Sequence, residues 1–226
     1  MGVLTWDLAA ERFYETGVSK GVLWAHTNGV PGIAKAWNGL TSVNENPEGA
    51  EISTFYADNI EYVHISSVEK LGLTIECYTY PDEFKPCIGE VEGVDGVTFT
   101  AQKHQGFDFS YRSEVGSEED EDAGYKLHLV YGCKAQPSSI DRATINDSPD
   151  LNTFSFDCTT TPVTADGLKP TAHIIIDSRK VGGSSATAQT RKAIMDALEA
   201  RLYDDSQATP SIADIAAIIH SNSVSG

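Results

Sequence analysis

Six histidines, four cysteines and 33 acidic residues are what this 226-residue chain offers for chemistry. None stands in a local signature. His26, His64, His104, His128, His173 and His220 lack the H-x-H or H-E-x-x-H spacing that puts two imidazoles on one metal, so any metal centre has to be assembled by the fold. Cys77, Cys87, Cys133 and Cys158 form no C-x-x-C pair, and Cys77 and Cys158 fall in strand-like runs; buried, reduced thiols are expected. The G-x-S-x-G spacing at residues 17–21 falls inside a strand-like run rather than at a strand-to-helix turn, so no nucleophile elbow is expected. Gly182-Gly183 lacks the spacing of a phosphate-binding loop and reads as a strand-to-helix turn. A carboxylate pair for glycoside hydrolysis can be drawn from so many acids, but abundance singles none out. The expectation is a protein without catalytic residues, cofactor or metal.

The acids matter more as bulk charge. Against 16 basic residues they leave a formal net charge of −17. That disfavours binding to the outside of DNA or to an anionic membrane, because both need Lys and Arg to displace counterions. No apolar run reaches the length of a bilayer span, and residues 1–17 lack the basic start and apolar centre of a signal peptide, so folding in a cytoplasm is expected. Trp6 stands where a myristoylation motif needs Ser or Thr. Ample Val, Ile, Phe and Tyr predict a globular chain, one large domain with arms.

The elements that must position these residues are mostly strands. In residues 106–133, Phe107, Phe109 and Tyr111 alternate with Asp108, Ser110 and Arg112, and Tyr125, Leu127, Leu129 and Tyr131 with Lys126, His128 and Val130. Period two, twice, predicts an antiparallel hairpin with one buried and one wet face. Its loop carries Glu118, Glu119, Asp120, Glu121 and Asp122, an acidic tip that must sit in water. Before it, residues 17–26 and 33–43 read as strands, with turns at 28–32 and 44–51. Residues 52–67 form a strand apolar on both faces, suited to the inside of a sheet or to a subunit contact. Residues 73–80 alternate again. Residues 81–105, rich in Gly and Pro, predict an irregular excursion with at most a short ribbon at 97–101; loops of that length commonly serve a contact.

Two more strands, 152–161 and 171–178, precede a change of period. Ile194, Leu198 and Leu202 fall on one face of a helix over 187–203, with Thr187 as N-cap and Lys192 four residues before Asp196. The division expected is an N-terminal arm (1–16), a β domain (17–207) and a C-terminal arm (208–226). The last carries Ile212, Ile215, Ile218 and Ile219 for a groove.

Several blocks carry a resemblance: WNGLTSVNENPEGAE (37–51), FYADNIEYV (55–63), IECYTYPDEF (75–84), FDFSYRSEVG (107–116), GYKLHLVYG (124–132), NDSPD (146–150) and TTTPV (159–163). In this order, over about residues 10–180, the chain resembles the major tail (tail tube) protein family of long-tailed, siphovirus-type bacteriophages. The acidic run and the residues from 208 onward depart from the family pattern. The resemblance implies a β-sandwich or barrel-like subunit with one flanking helix, assembled into usually hexameric rings that stack into a tube for genome delivery.

On that reading the loop 81–105 stacks rings, with Tyr80, Pro81, Asp82, Glu83 and Phe84 as contact candidates. Strand acids Glu76, Asp108 and Asp157 line the lumen, where carboxylates repel passing double-stranded DNA within the screening length of about 8 Å. Partners would be further copies of the chain, a tape measure protein, a tail terminator and distal tail or baseplate proteins, in a virion assembled in a host cytoplasm. The type VI secretion tube protein shares the fold. A competing expectation is a secreted carbohydrate-binding module using Trp24 and Trp37 as sugar platforms, against which the absent signal peptide and disulfide spacing weigh.

Overall fold

A computed structural model describes residues 4, 6–8, 12–48, 52–66, 70–140, 142, 144, 151–165 and 167–223. In chain order the strands are β1 (Phe13–Thr27), β2 (Val30–Pro31), β3 (Lys35–Trp37), β4 (Leu40–Glu48), β5 (Ile52–Ala57), β6 (Ile60–Ser66) and β7 (Lys70–Cys77). A 3-10 helix (Asp82–Ile88) leads to β8 (Val91–Val94), β9 (Val97–Phe99), β10 (Phe107–Ser117), β11 (Gly124–Ala135), β12 (Phe154–Thr159) and β13 (His173–Asp177). Helices α1 (Ala188–Leu202) and α2 (Ile212–Ser223) close the chain. The fold is mainly β and sandwich-like, as the alternating runs predict.

Nine strands form one antiparallel sheet, β2-β1-β10-β11-β12-β7-β4, with β3 beside β1 and β13 beside β11. Strand β11 changes partner along its length. Lys126 to Val130 pair with β13, but Lys134 and Ala135 pair with β12. Between them Gly132 takes φ +61°, and a Cβ there would meet the Thr161 carbonyl at 2.5 Å, so the bend requires glycine. The two halves of the sheet share one core: Phe107, Phe109, Leu23 and Trp37 pack with Ile75, Cys77, Phe156 and Cys158. All four cysteines are free and buried.

The other face of β1, β11 and β13 is not wet. Val22, Trp24, Leu127, Leu129, Tyr131 and Ile176 pack against Ile194, Leu198 and Leu202 of α1 and Ile215 of α2. The expected exposed face of the central hairpin is therefore wrong: the helices cover it, and β10 is buried nearly throughout. Helix α1 starts where expected, Thr187 accepting from the Thr190 amide at 3.1 Å, and Lys192 Nζ lies 2.6 Å from Asp196 Oδ2.

Other expectations change with the pairing. Residues 13–16 belong to β1, registered on β10 from Phe13↔Ser117, so an N-terminal arm ends before Phe13. The expected turn at 44–51 is strand through Glu48. Strand β4 ends the sheet, and an edge tolerates Pro47 and its missing N–H. The strand expected at 52–67 is a hairpin, turned at Asp58 and Asn59, both at positive φ (51° and 61°). The segment from 208 is not a detached arm. Ala208 bridges Ile33, the Pro210 carbonyl accepts from the Tyr131 hydroxyl at 3.2 Å, and Ile212, Ile218 and Ile219 are half-buried around Ile215 within the same chain. Among the described residues no helix is long and apolar enough to cross a membrane.

Candidate functional site

Two places stand out as candidates, one on the surface and one inside the open side of the sheet. The first is the β5–β6 hairpin. Among the described residues it pairs only with itself, as a two-stranded sheet apart from the β4–β7 ladder, whose last pair is Glu48↔Lys70. Ile52, Phe55, Tyr56, Ile60, Tyr62, Val63 and Ile65 are all at least 40% exposed, on both faces of the ribbon. A lone hairpin is marginal in water, and an exposed apolar ribbon is a candidate association surface. A smaller hairpin, β8–β9, repeats the pattern with Val91, Val94, Val97 and Phe99 exposed.

The expected ring-stacking residues divide. Phe84 is fully buried, packed on Trp37 with ring centroids 4.5 Å apart, and Tyr80 is half-buried against Phe154 and Phe156. Residues 82–88 wind into a 3-10 plug whose buried side chains, Phe84 and Cys87, close the core; the docking expectation fails for Phe84 because the core needs an aromatic there. Pro81 is half-buried, while Asp82 and Glu83 are exposed, held to Lys85 at 2.7 Å and Lys35 at 3.2 Å. What projects from the 81–105 segment is β8–β9.

The expected lumen acids divide too. Asp108 is 4% exposed: its Oδ1 accepts from the Gly132 amide at 2.7 Å and its Oδ2 lies 3.1 Å from His26 Nε2. It braces the β11 bend and lines nothing. Glu76 and Asp157 share one polar sheet face with Ser42, Asn44, Thr74 and Ser155, with Lys70 at its end. Ser42 donates to Glu76 at 2.7 Å and Thr74 to Asp157 at 2.7 Å. The acidic tip Glu118, Glu119, Asp120, Glu121 and Asp122 is exposed, with Glu118 paired to Arg12 at 2.7 Å. Trp24 and Trp37 are 0% and 2% exposed, which removes both expected sugar platforms.

The second place escaped sequence reasoning. Glu45 on β4, His128 on β11 and His173 on β13 converge. The Tyr111 hydroxyl donates a short hydrogen bond to Glu45 Oε1, and its ring stacks on His128 at 4.4 Å. Burial works against ionisation of Glu45, but His128, Tyr111 and His173 outweigh it and hold the carboxyl at about 2. Burial lowers His173 below its ordinary value, more than Glu45 raises it. Beside them, burial pushes Glu15 up, while Lys126 and Ser113 bring it below the usual carboxylate range. Glu45 and His128 line a cleft of about 790 Å³. No local spacing signals this cluster, because residues 45, 128 and 173 meet only when the sheet folds over.

Comparison with known proteins adds no identity: no protein-family model matches the chain, and no curated protein matches it.

Proposed function

We propose that this chain is a self-assembling structural subunit of a bacteriophage-type tail tube. The observation that carries the reading is the β5–β6 hairpin, a ribbon apolar on both faces that finds no cover among the described residues. An edge-bearing sheet with such an extension is protected best by closing it against identical copies, as rings and stacked rings do. β8–β9 supplies a second contact. The polar face of β4, β7 and β12, with Glu76 and Asp157, suits a wall that DNA slides past, because it offers phosphate little cationic purchase. Partners of the assembled tube would be the tape measure, terminator and distal tail proteins implied by the resemblance. Nothing in the site favours sugar binding.

The test is assembly itself. Concentrated purified protein, examined by negative-stain microscopy and sedimentation velocity, should give rings or tubes. Tyr56→Asp combined with Tyr62→Asp should leave a folded monomer that forms neither. Wild-type protein that stays monomeric at high concentration, also with an initiating tail-tip complex present, overturns the reading.

A further inference from the structure

We propose that Glu45, His128 and His173 bind one divalent transition-metal ion, with zinc the best match, which clips edge strand β4 to β11 and β13 across the open side of the sheet. The ligand atoms already have the required spacing. His128 Nδ1 is 3.3 Å from Glu45 Oε1, His173 Nε2 is 3.5 Å from the same oxygen, and the two nitrogens are 3.2 Å apart. Tetrahedral zinc with bonds of about 2.0–2.2 Å needs ligand edges of about 3.3–3.6 Å. The three atoms therefore outline one face of such a tetrahedron, and two imidazoles with one carboxylate are a common zinc set that leaves a fourth position for water.

The surrounding hydrogen bonds prepare His128 as a ligand. Ser113 Oγ donates its single proton to Glu15 Oε1 at 2.5 Å, so towards His128 Nε2, 3.0 Å away, it can only accept. Nε2 therefore carries a ring hydrogen, and in the neutral ring Nδ1 is the lone-pair atom on the side of Glu45 and His173. Glu15 Oε1, 3.5 Å from Nε2, strengthens that orientation as carboxylates commonly do behind metal-bound histidines. Tyr111 fixes the Glu45 carboxylate in the same way. An ion has a route in, since Glu45 and His128 face the 790 Å³ cleft, and Glu45 and His173 face a second cleft of about 270 Å³. The role is structural: among the described residues the backbone of β4 pairs only with β7, and the ion would join it to strands far away in the sheet order.

The competing explanation is a hydrogen-bonded cluster alone, with His173 Nε2 donating to His128 Nδ1. Zn²⁺ and Co²⁺ titrated into the chelator-treated full chain at neutral pH separate the two, read by calorimetry, Tm and, for Co²⁺, visible absorption. Expected are one saturable equivalent per chain, an intense tetrahedral-type Co²⁺ spectrum and a Tm raised by metal. Glu45→Gln and His173→Gln should each abolish them, and Ser113→Ala should weaken affinity about tenfold. His64→Gln, which breaks an exposed pair with Glu61 at 3.4 Å, should change nothing. No saturable binding, or binding that survives both ligand substitutions, overturns the proposal. If the ligand variants misfold, the wild-type Co²⁺ spectrum decides, and a weak octahedral spectrum counts against it.

Discussion

The chain contains two aromatic-rich hairpins with nearly the same alternation and opposite surroundings. In β10–β11, Phe107, Phe109, Leu127 and Leu129 are at most 1% exposed, one core below and two helices above. In β5–β6, Phe55, Tyr56 and Tyr62 are 51%, 71% and 73% exposed. Alternation decides that both are strands; only the layers supplied by the rest of the chain decide whether a face is dry. The first hairpin is where the chain stores its stability, and the second is where the proposed tube contact would form.

The contrast breaks most clearly with matched truncations. Phe109→Ala should cost about 3–5 kcal/mol in urea unfolding, because it empties a fully buried site. Phe55→Ala should leave monomer stability within about 0.5 kcal/mol and yet block tube formation. Equal effects on monomer stability would erase the distinction. The cover over the central hairpin gives the next largest effect. Ile215→Ala should destabilise the monomer by about 2–3 kcal/mol, since Ile215 is 4% exposed against α1. An arm that served only a neighbouring subunit would show no such loss. Thr187→Ala, removing the α1 cap, should cost about 1 kcal/mol.

The smallest effect sharpens the comparison at the side of the central hairpin, where Asp177 is paired by Arg179 at 2.8 Å. Burial raises the Asp177 carboxyl, but Arg179 outweighs it and holds the group below its ordinary 3.8. A depressed carboxylate stabilises fully above its unfolded value and loses that contribution as pH falls through the lower folded one. Asp177→Asn should therefore lower stability by about 0.5 kcal/mol near neutral pH. The urea midpoints of variant and wild type should converge in strong acid; a constant gap would remove the assignment.

What the sequence discloses follows the range of each interaction. Helix α1 is legible because its cap, Thr187, bonds an amide three residues on and its buried stripe, Ile194, Leu198 and Leu202, repeats every four residues. The central hairpin is legible for the same reason. The burial of Asp108 is not, because it depends on the bend at Gly132 and on helices some 80 residues downstream. Phe84 looks like a loop residue beside Pro81 until the core it fills is in place. Pro47 reads as a turn because nothing local reveals that β4 is an edge. The Glu45, His128 and His173 cluster is the least legible, drawn from three strands with no spacing to mark it. The block at 146–150 lies outside the described residues.

Hydrogen–deuterium exchange compared between monomer and assembled protein tests the division of labour most directly. Amides of 107–117 should be protected in both states, and those of 52–66 should gain protection only on assembly. Fast exchange of 52–66 within finished assemblies, or protection equal to the core already in the monomer, would contradict the account.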